Sequence, residues 1–516
     1  MMKNFKIISL LVLACTTAGA EVLLPNIFSD HMILQQQKKN PVWGMADPGE
    51  RVSVEFAGQK KTAVADEKGH WKVELDPLEA SFKARSMKIY SFGRLQSEIS
   101  NILVGEVWMC SGQSNMAWSM NAINDYDMEV ATANYPNIRL LAVPRVGTQE
   151  PQFNIEAVWT ECTPETVKNF TAPGFLFGRK LYHALNVPVG LIYNAWGGSD
   201  LEAWLPIHVL EEAGQDEYLA EWNKYLSLYS DEYLEKQKIE YKQWVADGKP
   251  GKKRFEPRDV RTGQKRPANI YNGVLHPTIG YGIKGVIWCQ GESNIGRAYE
   301  YRSLFPLLIN KWREWWNNDD LPFYWIQLAD HSDEKPEPGE SYWAELREAQ
   351  TMTLKLPHTG EAVVIDLGEA RDIHYRNKQT AAARLVRHAL GKDYGFNIAT
   401  ESPRFQSLEI KGDKAVVTFD HVATHLYAFD VPEVKGFAIA GEDRKFHWAE
   451  AKIVGKNKVE VWSDEVPEPV AVRYGWADNP VVNLYDRNSL PVTPFRTDDW
   501  PVGTMGKKTL YRPMPK

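Results

Sequence analysis

Four short stretches of the chain hold residue types suited to acyl transfer. The first is Ser111-Gly112-Gln113-Ser114-Asn115-Met116, directly after the apolar Val107-Trp108-Met109-Cys110. A turn of small residues after a strand can present the Ser114 hydroxyl and aim backbone N–H groups at a developing oxyanion. Taken alone, a serine in a polar turn reads more simply as a helix cap. The stretch is not Gly-x-Ser-x-Gly, the usual nucleophile elbow. The second stretch, Asn194-Ala195-Trp196-Gly197-Gly198-Ser199, pairs Gly197 with Gly198, which lets backbone approach a ligand closely, as an oxyanion hole requires. A tight turn would look the same. In the third, Trp288-Cys289-Gln290-Gly291-Glu292-Ser293-Asn294, Gln290 can donate a side-chain N–H to an oxyanion and Glu292 can orient a base. The fourth ends in Asp372-Ile373-His374, where His374 can serve as general base for Ser114 and Asp372 can hold its tautomer. None of these decides the matter alone. Each follows an expected core strand, and together they form one composite hydrolase site.

The elements that must position them are legible from periodicity. Apolar runs at 102–110, 189–195, 283–289, 323–328 and 362–367 predict strands covered on both faces. Helix-like stretches lie between them, such as 377–390. That alternation predicts an α/β fold with a doubly wound sheet over 101–400, whose sites lie at the carboxyl ends of its strands. Before it, 21–100 alternates apolar and polar residues, as in Val52-Ser53-Val54-Glu55-Phe56, and reads as a β-sandwich-like segment. After it, 401–516 is again β-rich. Hairpins are expected there about Gly412-Asp413 and Gly455-Lys456-Asn457. A charged segment at 209–261 reads as an insertion of one or two exposed helices, either surface decoration or a lid that shapes the substrate site.

Composition narrows the class. With 43% hydrophobic and 25% charged residues the 516-residue chain has the make-up of a soluble globular protein of two or three domains. A net charge of −7, spread along the chain, offers nothing to nucleic acid or an acidic membrane surface. Lys3 and Lys6, the apolar run from Ile7 to Ala14 and then Ala18-Gly19-Ala20 predict a signal peptide over 1–20, too short for a membrane span. This makes the protein secreted or periplasmic, with Cys15 as an alternative site of lipid attachment. Cys110, Cys162 and Cys289 do not make a disulfide framework. A Cys110–Cys289 bridge and buried free thiols are the two readings.

The four stretches, with Tyr271-Asn272-Gly273 and Val472-Arg473-Tyr474-Gly475-Trp476-Ala477-Asp478, resemble the motif blocks of the sialate O-acetylesterase family. That family belongs to the SGNH-type hydrolases and is close to some acetylxylan esterases. The resemblance runs from about residue 23 to 499. It implies an SGNH-like core flanked by β-rich segments, with Ser114 as nucleophile and His374 as general base. It also implies Gln290, a glycine of the 197–198 pair and the Ser114 N–H as oxyanion donors. Many SGNH-type hydrolases have two residues between the acid and the histidine, whereas Asp372 and His374 have one between them. Asp372 is the favoured carboxylate, with Glu292 or a Ser-His dyad as alternatives. The implied substrate is an O-acetylated sugar, sialic acid foremost, with acetylxylan or another polysaccharide as alternative. No metal or organic cofactor is required, and the oligomeric state is left open. A non-catalytic carbohydrate-binding protein on the same fold is the rival from another class.

Overall fold

Strict alternation of side chains about a buried sheet sets the architecture. In the computed structural model, which describes residues 22–251 and 254–508, Val107 and Met109 enter one apolar cluster while Trp108 and Cys110 enter another. Val286 and Trp288 part from Ile287 and Cys289 in the same way. This is the period of two along strands that are covered on both faces. The helices Ala298–Trp315 and Tyr342–Met352 supply one cover, through Leu304 and Leu346. Ala172–Leu185 and Lys378–His388 supply the other, through Phe175 and Leu385.

Across the core sheet the strands run Thr359–Ala362, Phe323–Ile326, Gly285–Cys289, Arg94–Gly112, Val189–Tyr193, Tyr135–Ala142 and Thr160–Cys162. All neighbours are parallel except the last pair. The chain starts in the middle with Arg94–Gly112, lays down Tyr135–Ala142 and Thr160–Cys162 on one side, returns to place Val189–Tyr193 beside the first strand, then crosses to Gly285–Cys289 on the other side. The direction of winding therefore reverses at Arg94–Gly112, which is where open α/β sheets form their binding crevice.

Two expectations are corrected. The run at 362–367 is not a strand: pairing covers Thr359–Ala362, and the chain then leaves the sheet. Val363, Val364 and Ile365 stay buried and Asp366 holds Arg384 and the Tyr485 hydroxyl, so this apolar run packs as loop. Nor does the amino-terminal β segment end at residue 100. The strand Arg94–Gly112 pairs with Ser81–Ser91 in its first half and with the core strands in its second. In that segment the antiparallel pair Asn40–Met45 and His70–Leu75 packs with the antiparallel strands Arg51–Phe56, Gln59–Val64 and Ser81–Ser91 around a shared apolar cluster that includes Val42, Val54, Trp71 and Ile89.

The expected carboxyl-terminal hairpins are present, Arg404–Lys411 with Lys414–Asp420 and Glu450–Ile453 with Lys458–Trp462. This unit docks on the core through Arg347, which is fully buried and donates to the carbonyls of Leu328, Ala329, Ala477 and Asp478. The 209–261 segment forms the helices Asp216–Leu228 and Asp231–Ala246. The signal peptide expected over 1–20, with Cys15, lies outside the described residues. Among those residues no helix is long and apolar enough to cross a membrane. Cys110, Cys162 and Cys289 are buried free thiols, and burial pushes the Cys162 thiol up to about 12.

Burial of one core histidine predicts acid sensitivity. The His388 ring stacks 5.5 Å from Tyr324 and abuts Gly360, and burial pulls its pKa from 6.5 to about 4. Between those values the unfolded chain binds the proton and the folded chain does not, so this term of stability is lost as pH falls through the window. The loss amounts to about 3 kcal/mol at about 1.4 kcal/mol per unit. Melting temperature measured from pH 7 to 4 is expected to fall less steeply in His388→Asn than in the parent; equal slopes would refute the assignment.

Candidate active site

Three of the four sequence stretches meet at the switch point, and the fourth is brought over to them. Ser114 opens the short helix Ser114–Ala117 directly after Arg94–Gly112. The turn between them is tight because Gly112, at φ +125°, lies against the backbone of Cys289, and the Gln113 N–H donates to the Cys289 carbonyl at 2.8 Å. Ser114 does not cap this helix: Gln113 is the N-cap, and no side chain caps it.

Gly197 follows the neighbouring strand Val189–Tyr193 and faces the serine. A Cβ at Gly197 would lie 3.2 Å from the Ser114 Cβ and 3.8 Å from its backbone nitrogen. The turn Trp196–Ser199 is closed by the Ser199 N–H on the Trp196 carbonyl, with Gly198 at φ +72° in its third position, where a type II turn requires glycine. The N–H groups of Ser114 and Gly197 have no backbone acceptor among the described residues. Two adjacent, unspent N–H donors are what a tetrahedral oxyanion needs.

Gln290 does not join them as a free donor. The Leu201 N–H donates to Asn294 Oδ1, so that oxygen is an acceptor, and the Gln290 atom 2.7 Å from it must be Nε2. Its other hydrogen goes to the Ser199 carbonyl at 3.0 Å, while Oε1 accepts from the Tyr301 hydroxyl at 2.9 Å. Gln290 is fully spent inside the fold. It ties the end of Gly285–Cys289 to the turn that holds Gly197 and Gly198, and so braces that turn from behind. Beneath it Glu202, wholly buried, accepts from Asn294 and Arg297.

His374 lies on the loop that follows the outer strand Thr359–Ala362, and this loop meets the Ser114–Ala117 segment at Asn115 and Trp118. The loop is pinned by Arg376, which forms a bidentate pair with Glu369 at 3.0 and 2.8 Å. At its tip the Ile373 carbonyl accepts from Asn115 Nδ2 at 3.1 Å. The imidazole stacks on Trp118, 4.6 Å between centroids and 11° between planes, one turn beyond Ser114. Asp372 Oδ1 is 3.3 Å from His374 Nδ1 and also accepts the His374 backbone N–H. Glu292 instead accepts from Asn115 at 2.6 Å. The geometry thus brings Asp372, not Glu292, to the imidazole. Burial lowers the His374 pKa below 6.5 against the opposing pull of Asp372, and burial raises that of Glu292.

That contact gives a directional test. Asp372→Asn is expected to lower kcat/KM by about 10²-fold and to move the acid limb of its pH profile to lower pH, since the Asp372 charge holds the His374 pKa up. An unmoved limb would exclude Asp372 as the partner.

Sequence reasoning passed over Asn115 and Lys378. Asn115 sits in the motif beside Ser114, so its proximity was visible although its role was not. Lys378 opens an amphipathic helix, where a lysine reads as solvent-facing, yet it is fully buried and donates to Asn115 Oδ1. Among the described residues no group of three or more His, Cys, Asp or Glu side chains is arranged to hold a metal ion. A cleft of about 690 Å³ opens beside Gly197 and Gly198, walled by Tyr225, Tyr233 and Arg258 of the insertion and by Lys265 just after it. The insertion thus lines the cleft that adjoins the Gly197-Gly198 turn.

A doubly wound sheet with a serine, two free backbone donors and an imidazole–carboxylate pair at its switch point defines a hydrolase-type α/β protein. A family model described as carbohydrate esterase, sialic acid-specific acetylesterase matches residues 104–229 and 268–393. Sialate O-acetylesterase of Pongo abelii is 29% identical over 538 residues, and that of Homo sapiens 28%, each covering 95% of both chains. A crystal structure of a carbohydrate acetylesterase from Xanthomonas citri superposes with a TM-score of 0.79 at 35% identity, covering 93% of this chain and all of that one. The chain belongs to the sialic acid-specific acetylesterase family of carbohydrate esterases. The late block ending in Ala477-Asp478, part of the same resemblance, lies at the Arg347 seam and has an architectural role.

Proposed function

We propose that the protein removes O-acetyl groups from sialic acids through an acetyl-serine intermediate. The observation that carries this reading is the convergence of Ser114, the Gly197-Gly198 turn and the His374–Asp372 pair on one crevice. His374 takes the Ser114 proton as the hydroxyl attacks the acetyl carbonyl, with Asp372 on Nδ1 leaving Nε2 for that transfer. The N–H groups of Ser114 and Gly197 hold the oxyanion. His374 then returns the proton to the departing sugar hydroxyl, and water releases acetate by the same route. The cleft beside Gly197 receives the sugar. With the leader expected over residues 1–20, the activity is secreted or periplasmic.

A second reading, esterase action on acetylxylan or another acetylated polysaccharide, draws support from the Xanthomonas citri relative, described only as a carbohydrate acetylesterase. Acetate release from O-acetylated sialic acid, acetylxylan and an aryl acetate separates the two. The sialate reading expects the highest kcat/KM on the first. A higher value on xylan would establish the second reading. No acetate from any of the three would leave a carbohydrate-binding protein and end the esterase reading.

A further inference from the structure

Under the candidate site lies a charged group that the two-step reaction does not use. Lys378 is fully buried at the start of the helix Lys378–His388. Its Nζ donates to Asn115 Oδ1 at 2.6 Å and sits 3.3 Å from the Tyr375 ring centroid. Asn115 spends its own two hydrogens on Glu292 Oε1 at 2.6 Å and the Ile373 carbonyl at 3.1 Å. One amide thus joins four segments: the Ser114 helix, the loop after Gly285–Cys289, the His374 loop and the helix that follows it. A buried ammonium costs several kcal/mol of desolvation unless it is compensated, so packing alone would favour an apolar residue here.

We propose that Lys378 is a positioning residue for ester hydrolysis, fixing through Asn115 the register between the Ser114 helix and the His374 loop. The Lys378 donor orients the Asn115 amide, so that its Nδ2 can face only Glu292 and Ile373. The Ile373 bond then fixes His374, the next residue, over the helix of Ser114. Lys378 also acts electrostatically. The charges around it are Glu292 beyond Cys289, Glu369 and Asp372 on the loop, and His374, whose protonation its charge disfavours. Burial pulls the Lys378 pKa down to about 7.

The proposal rests on Ser114 and His374 carrying the reaction, so Ser114→Ala is measured alongside. Lys378→Met keeps the length and removes the charge and the donor. On an aryl acetate it is expected to lower kcat about 10- to 100-fold, with KM within about twofold, and to move the acid limb of kcat/KM to higher pH, since the charge that opposes His374 protonation is gone. Lys378→Gln, which retains an N–H for Asn115, is expected to recover most of kcat and keep the shifted limb. In an Asn115→Ala background Lys378→Met is expected to cost less than about threefold more, because the two act as a unit. An unchanged kcat in Lys378→Met, independent effects of the two substitutions, or an unmoved limb would overturn the proposal. So would failure of both Lys378 variants to fold, which would make the residue a fold determinant. An active Ser114→Ala would instead bring down the assignment of the nucleophile.

Discussion

Ser114→Ala is expected to lower kcat/KM on an aryl acetate by at least about 10⁴-fold, with the melting temperature within a few degrees of the parent. The effect on rate is large because the two serines in the neighbouring turns are engaged elsewhere. Ser111, three residues earlier, is buried and its hydroxyl donates to Asn194. Ser199 is buried too, its hydroxyl accepting from the Trp204 indole. The effect on stability is small because Ser114 supplies no helix cap. A residual rate would remain from the backbone donors alone. Retention of more than about a tenth of the parent kcat/KM would show that the nucleophile lies elsewhere.

His374→Ala is expected to fall by a similar factor, and the Ser114→Ala/His374→Ala double variant by no more than either single one, because nucleophile and base fail together. In the parent the rate should follow the neutral imidazole. Burial holds the His374 pKa below 6.5, so the base stays competent under mildly acidic conditions and kcat/KM declines only as pH falls through that lowered value. The sign matters: a His374 stabilised mainly as an ion by Asp372 would place the limb above 6.5 instead. A limb above 6.5, or additive losses in the double variant, would contradict the site as drawn.

Much of the core was legible because a parallel sheet buried on both faces writes itself as apolar runs. Val286-Ile287-Trp288-Cys289 is such a run, and its strand lies where expected. The strand Tyr135–Ala142 was not legible, since Pro136, Asn137 and Arg139 interrupt its pattern. Arg139 is tolerated inside because its guanidinium donates to the carbonyls of Pro136, His31 and Asn101, partners remote in sequence for two of the three. The site divides in the same way. Ser114, Gly197 and His374 stand in recognisable turns, so their residue types pointed to the chemistry. Gln290 stood in such a turn as well, but only the positions of Ser199, Asn294 and Tyr301 reveal that its amide is already spent. Lys378 gave no signal, because nothing local marks a helical lysine as buried.

The strand Arg94–Gly112 belongs to two sheets at once, and this bears on how the molecule comes apart. Its nineteen residues end two positions short of Ser114. Melting the amino-terminal β segment would strip pairing from the same strand whose far end seats Ser114, so the segment is not expected to loosen as a private event. The two regions are expected to unfold in one cooperative step, and a cut at residue 100 would sever the central strand of the core sheet rather than release a module. In hydrogen exchange, amides of Val52, Val54 and Ile89 should open together with those of Val107 and Met109, as a single foldon.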